Sequence, residues 1–464
     1  MARKKHAPKS RPQTSPYVLG LVANRAGEIF DLDGYAALGM CGDRMIPLRE
    51  GDMVPLPHGS ETLLLPDRFP VLWNIRKNRA EVLTENPWAP GEPLFPVAAF
   101  NSPGYVITHH PAYAERADAR ILPLFAYGAV GWSSKGFASA VFQVDAEDRQ
   151  DLRCMPVEQV QAGVREVRTL LPRNRLLVHI KNCALIYGCP AAKNFFLGRY
   201  EAPLPTSRAC NARCLGCISL QNNPELQSCQ NRIAFTPSPR EIAEIALFHI
   251  ERVPDAVVSF GQGCEGDPLL AAHVIEPALR LIREKTDRGT LNMNTNASLP
   301  AVLDGLFEAG LDSIRVSLNS GREAVYQAYF QPRGYAFSDV LRSVDVAGKW
   351  GRHVAINYLN APGVTDAPEE AAAMEHFLQH HGVHLIQWRN LNFDPLRYHR
   401  LVSAVAPCGS GMGMPVLIRH MRRLFPELKH GYFNPPRKRF ATRPSCNTFE
   451  PSGGAAPSLS ILSP

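Results

Sequence analysis

Apolar residues recur along this chain with two different periods, and the change between them divides it. From residue 16 to 150 short apolar runs, YVLGLVA, GEIFDLDG, MIPL, LLLP, VLWN and GYVITHH, are broken by Gly, Pro, Asn and Asp. Short runs bounded by turn residues predict short strands in a small β-rich or mixed α+β domain. Over 157–171 the spacing becomes helical, with Val157, Val160, Val164, Val167 and Leu171 on one face. LLVHI at 176–180 reads as a strand, so residues 151–199 are expected to connect two domains.

From residue 200 strand and helix signals alternate. YEAPL is a short strand candidate, and SPRE at 238–241 reads as a capping box: Ser238 caps, Pro239 takes the first helical position and Glu241 reaches back. Strands are then predicted at 256–260, 291–294, 313–318, 354–359 and 385–388, separated by helices at 242–250, 269–285, 300–310, 338–349 and 368–381. Six such units call for a parallel sheet covered by helices, an α/β fold of the partial (β/α)6 TIM-like barrel type over 200–400.

A chain of 464 residues exceeds what one core usually fills, and 45% hydrophobic with 20% charged residues is ordinary for a globular protein. Apolar runs of membrane-spanning length are absent, so a cytoplasmic, non-membrane protein is expected, in which eleven cysteines are thiols or metal ligands rather than disulfides. The net charge of +7 is carried by the two ends. Arg3, Lys4, Lys5, Lys9 and Arg11 lie in a disordered basic tail over 1–15, and Arg419, Arg422, Arg423, Lys429, Arg437, Lys438, Arg439 and Arg443 lie in a basic extension over 401–464. Such ends suit nucleic acid or a solubilising surface, and the second is favoured because charge runs are commonly just solvated faces.

The chemistry concentrates in TSRACNARCLGCISLQ, where Cys210, Cys214 and Cys217 stand at CxxxCxxC spacing directly after a strand. Thiolates are soft ligands for iron-sulfur clusters or zinc. Four irons held by three cysteines leave one iron open, as catalytic metal sites do.

On this loop and the βα pattern after it, the chain resembles the radical SAM superfamily over about residues 200–400. The resemblance implies a [4Fe-4S] cluster on Cys210, Cys214 and Cys217, chelation of the open iron by S-adenosylmethionine, and a 5′-deoxyadenosyl radical that takes hydrogen from a substrate. It also implies an electron donor, such as a reductase, flavodoxin or ferredoxin. Gly216 departs from the family, which carries an aromatic residue there against the adenine. The second strand ends in GQGCEGDP, similar to the family's Gly-Gly-Glu-Pro element that binds the methionine amino group, which makes Gly261, Gly263, Glu265 and Asp267 candidates. Asn296 in TNAS, and Ser317 and Asn319 in RVSLNS, fall at the ends of the third and fourth strands, where the family contacts the cofactor.

Other cysteines could serve an auxiliary iron-sulfur cluster: Cys183 and Cys189 in KNCALIYGCP, with Cys229, Cys264, Cys408 and Cys446 farther on. His376, His380, His381 and His384 read as polar residues about a helix end. The substrate is open, with RNA or a peptide as the alternative within the class. The rival from another class, a non-catalytic iron-sulfur or zinc protein that binds nucleic acid, needs a fourth thiolate on the centre and leaves the 200-residue βα run without a purpose.

Overall fold

The computed structural model describes residues 16–440; the tail of 1–15, Arg443 and Cys446 lie outside the described residues. Residues 16–150 form a largely antiparallel β region around a ten-stranded sheet. Leu19–Ala23, Ile29–Ala36, Arg68–Asn74, Phe95–Phe100 and Gly128–Ser133 are among its strands. Apolar side chains such as Val22, Leu32 and Leu72 bury on one side of it.

Three helices follow, α1 (Val157–Leu170), α2 (Arg175–Leu185) and α3 (Pro190–Phe196). The helix read from Val157 onward is present, with Val160, Val164 and Val167 buried. The strand expected at 176–180 is not: LLVHI lies inside α2. Leu176, Leu177, Ile180, Cys183 and Ala184 bury together, a helical spacing that becomes visible only when the window extends past the five β-prone residues. Asn174 caps this helix by accepting from the Leu177 amide at 3.1 Å, and its amide nitrogen donates to the Glu241 carbonyl at 2.9 Å. Packing against the next helix thereby overrides local propensity.

The second half is a curled parallel sheet of seven strands in sequential order, β1 (Glu201–Pro203), β2 (Val257–Phe260), β3 (Thr290–Thr295), β4 (Ser313–Leu318), β5 (His353–Asn360), β6 (Leu385–Asn390) and β7 (Lys429–Gly431). Its connections include α4 (Pro239–Arg252), α5 (Ala272–Lys285), α6 (Pro300–Glu308), α7 (Glu323–Phe330), α8 (Phe337–Lys349), α9 (Pro368–His380), α10 (Pro395–Val405) and α11 (Met414–Leu424). Ser238 and Glu241 make the expected capping box on α4. The sheet thus has one strand more than the sequence pattern suggests: β7 is three residues long, too short to carry a period, yet it pairs in parallel with Leu385–Gln387 of β6. Arg437, Lys438 and Arg439 beyond it are not a free basic patch. Arg437 reaches Asp312, Lys438 pairs with Asp255 at 2.7 Å and Arg439 with Glu147 at 2.6 Å. The four histidines serve the end of α9 and its surroundings, with His380 bonded to the His376 carbonyl and His381 to Asp345.

The β region docks on the strand tips of the barrel. Ile107 donates its amide to Asn390 at 2.9 Å and accepts from Asn360 at 2.9 Å, so the segment Tyr105–Ile107 lies against the C-terminal ends of β5 and β6. Below that contact Arg68 and Asp394, both fully buried, pair at 2.7 Å, and the Tyr113 hydroxyl donates to Asp394 at 2.9 Å. Asp394 also caps α10 through the Arg397 amide. Removing Asp394 leaves the buried Arg68 guanidinium with Glu115 as its only counter-ion, through the longer contact at 3.3 Å, and breaking a buried pair costs up to about 3–5 kcal/mol. Asp394→Ala is therefore expected to lower the unfolding free energy by about that much in a urea titration, and the double change Arg68→Met with Asp394→Leu to recover most of it. A loss below about 1 kcal/mol in the single variant, the value of an exposed pair, would show that the ion pair does not hold the two halves together.

Candidate active site at the strand tips

The cysteine loop leaves the end of β1 and is anchored on three sides. Arg213 and Leu215 donate their amides to the Phe330 and Tyr329 carbonyls at the end of α7, at 2.9 and 3.1 Å. Asn392 donates to the Gly216 carbonyl at 2.7 Å, and Gln221 donates to the Leu215 and Cys217 carbonyls at 3.1 and 2.6 Å. The loop shape therefore follows from backbone acceptors met by fixed donors.

Within it the Cys214 thiol interacts electrostatically with Cys210 and Cys217. Burial pushes the Cys214 thiol well above its usual range, and the neighbouring Cys210 and Cys217 add to the shift. Cys210 is pushed up to about 11, by burial first and then by the Asp267 carboxylate. Arg232 places Nη2 at 3.5 Å from the Cys217 sulfur. Cys210 and Cys214 so placed hold their protons until a cation replaces them, because metal ligation requires thiolate. A cationic cluster fits this donor set. Cys229 lies close enough to sense the charge of Cys217, but its thiol donates to the Leu124 carbonyl at 3.2 Å.

The glycine-rich turn after β2 is bonded directly to this loop. Glu265 is buried, and its carboxylate accepts four backbone N–H groups: Thr206 and Ser207 at 2.7 and 2.8 Å on one oxygen, Gly261 and Gln262 at 2.7 and 2.8 Å on the other. Burial raises it to about 7 against the pull of those four donors. Gly266 and Asp267 add amide bonds to the Ser207 and Ala209 carbonyls at 2.7 and 2.9 Å. Gly261 has φ +75°, and a Cβ there would collide with the Asn294 carbonyl, so only glycine lets the turn close on β3. Gly263 packs beside Ile218 of the cysteine loop.

Asp267 caps the turn that follows by accepting from the Leu269 amide at 3.1 Å, and it fixes the tip of β3 through Thr295 Oγ1 at 2.8 Å and the Asn296 amide at 2.7 Å. Asn296 in turn donates to Asn211, the residue after Cys210, at 2.7 Å. Cysteine loop, glycine turn and third strand tip therefore form one bonded unit. Ser317 is half-buried on β4. Asn319 donates its amide nitrogen to the Val325 carbonyl at 3.1 Å and to the Tyr398 hydroxyl at 3.2 Å, and its buried Oδ1 has no partner among the described residues.

Two features were not singled out from the sequence. Gly216 sits against the Tyr329 hydroxyl, which comes within 2.6 Å of where its Cβ would stand, so a tyrosine from α7 lies beside the position where the family has an aromatic. The second feature is Arg315 on β4, whose charge interacts with Glu201 of β1, Arg389 of β6 and Tyr432 after β7. Strands so far apart in the sheet can meet one side chain only inside the curl. Burial lowers Arg315 to about 10, and its Nε has no hydrogen-bond partner among the described residues. The signal was present in SIRVSL, since period-two alternation puts Ser313, Arg315 and Ser317 on one face.

Residues 204–374, the segment that carries the three-cysteine loop and most of the parallel half-barrel, match the family model of the Radical SAM superfamily. No curated protein matches the chain. Among solved structures, a radical SAM methyltransferase from Sphaerobacter thermophilus is 15% identical with a TM-score of 0.36, covering 52% of this chain and 69% of that one. HydG, a maturase of the [FeFe]-hydrogenase, is 14% identical with a TM-score of 0.33, covering 53% of this chain and 56% of its own. Methylornithine synthase, PylB, is 13% identical with a TM-score of 0.36, covering 68% and 89%. The chain spans little more than half the length of HydG. No helix among the described residues is long and apolar enough to cross a membrane.

Proposed function

We propose that this protein cleaves S-adenosylmethionine reductively at a [4Fe-4S] cluster on Cys210, Cys214 and Cys217 and uses the resulting radical to take a hydrogen atom from a substrate. The observation that carries this reading is the union of the three-thiol loop with the glycine turn through Glu265, which puts a cluster-type donor set and a close backbone approach side by side. A cluster held by Cys210, Cys214 and Cys217 would supply the single electron needed for reductive cleavage of the carbon-sulfur bond of S-adenosylmethionine.

The chain's own residues bind and orient. Gly261 and Gly263 present backbone to the methionine amino group, Glu265 holds the turn that does so, and Asp267 aligns Asn296 at the neighbouring tip. Ser317 and Arg315 face the interior, where the guanidinium of Arg315 offers a fork for a carboxylate of the cofactor or of the substrate. Tyr329 lends an aromatic surface next to Gly216. The segment Tyr105–Ile107 covers the tips of β5 and β6 and helps keep water from the interior. A flavodoxin, ferredoxin or reductase delivers the electron.

Anaerobically reconstituted and reduced enzyme is expected to release 5′-deoxyadenosine and methionine from S-adenosylmethionine, slowly and without added substrate, as read by liquid chromatography with mass detection. A fully loaded, reduced protein that yields no 5′-deoxyadenosine would favour a structural role for the cysteines.

A further inference from the structure

His179, Cys183 and Cys264 come from distant parts of the chain, yet their ligand atoms all lie within 4.8 Å of one another. His179 and Cys183 are four residues apart on α2 and share one helix face. Cys264 sits in the glycine turn between Gly263 and Glu265. Both thiols are buried, at 3% and 5% exposure. The buried Nε2 of His179 has no hydrogen-bond partner among the described residues. Cys183, Cys264 and Cys189 line one cavity of about 20 Å³, together with Pro203, Pro205 and Gln262. In a metal-free core the imidazole would have only a weak thiol donor to meet it, whereas a metal ion would satisfy the ring nitrogen and both sulfurs together.

We propose that His179, Cys183 and Cys264, completed by Cys189, bind a single divalent metal ion of the zinc type. The spacing of His179, Cys183 and Cys264 supports one ion: sulfurs at about 2.3 Å from a tetrahedral zinc stand roughly 3.8 Å apart, inside the 4.8 Å that holds these three ligand atoms. Cys189, which lines the same cavity outside that group, turns in to complete the four. The donor set, imidazole with thiolates, is that of closed structural zinc sites. Its place gives it a purpose, since the ion joins α2 to the turn that also carries Glu265. Helix, turn and cysteine loop are then fixed to each other by a bond that packing alone does not supply. The site is separate from Cys210, Cys214 and Cys217, and its test does not depend on the cofactor chemistry.

The test uses the full chain with Cys210, Cys214 and Cys217 changed to Ala, so that loop thiols do not compete. Elemental analysis is expected to find about one zinc per chain in this protein, and cobalt substitution to give the intense visible bands of a tetrahedral thiolate site. Adding Cys183→Ser or His179→Gln should abolish both signals, with far-ultraviolet circular dichroism confirming that the chain stays folded. His179 is only half-buried, so its variant keeps the test usable if the Cys183 variant misfolds. Adding Cys189→Ala should weaken cobalt binding and shift its bands. A folded parent that takes up neither zinc nor cobalt overturns the proposal. So does a site that gains iron and sulfide with cluster absorption, which would make it an auxiliary iron-sulfur centre, or one whose thiols are found as a Cys183–Cys264 disulfide.

Discussion

Changing Cys210, Cys214 and Cys217 together to Ala is expected to remove roughly four irons per chain and abolish 5′-deoxyadenosine formation, which follows from the proposal that these thiolates are the cluster's protein ligands. The expected drop is to the detection limit. The physical reason lies in the anchoring of the loop. Its carbonyls and amides are already held by Asn392, Gln221, Tyr329 and Phe330, so the backbone stays in place and no neighbouring thiol swings in. Cys229, the nearest substitute, is engaged with the Leu124 carbonyl. Iron content, visible absorption and product formation, measured on the same anaerobic samples, check the outcome. A triple variant that keeps a cluster responding to S-adenosylmethionine would sink the ligand assignment.

Glu265→Ala is expected to be the most destructive single change away from the cysteines. Four buried N–H groups lose their acceptor at once, and each unmet donor costs roughly 1–3 kcal/mol, so the local loss is on the order of 5 kcal/mol or more. Glu265→Gln retains the shape yet turns an NH2 group toward two amide donors, so it should recover little. Both variants should lose cofactor binding and, by loosening residues 206 and 207 at the base of the cysteine loop, lower iron content as well. Asp267→Asn can keep its oxygen toward the Asn296 amide and let the new NH2 donate to Thr295 Oγ1, which leaves only the Leu269 amide unmet, so it should cost less. Denaturant midpoints, iron content and S-adenosylmethionine binding by equilibrium dialysis distinguish these outcomes. A Glu265→Ala protein with wild-type stability and full iron, but weak cofactor binding, would instead restore the expectation from sequence that this carboxylate meets the methionine amino group.

The difference between those two roles for Glu265 marks the boundary of sequence reading in this chain. GQGCEGDP identifies a close-approach turn from its glycines, but a carboxylate in that text can face a ligand or its own backbone. The choice depends on Thr206 and Ser207, some sixty residues earlier, and no local period reports it. Asn319 is a similar case: its place after β4 suggests the mouth, and no local period reports that its amide nitrogen bonds to Val325 and Tyr398.

By itself the sequence determined what depends on neighbours along the chain. CxxxCxxC spacing sets three thiols on one loop, the capping box starts α4, and regular apolar periods specify a parallel sheet wrapped by helices. Each is short-range, because helices repeat every 3.6 residues and strands every two. Only the tertiary structure decided the rest. It turned LLVHI into helix by burying one face of α2 against α4, and added β7 because an open sheet edge accepts even a three-residue strand. It also brought Arg315 into the curl and placed His179 and Cys183 against Cys264. These outcomes rest on contacts between residues far apart in sequence, where packing and the satisfaction of buried polar groups outweigh local preference.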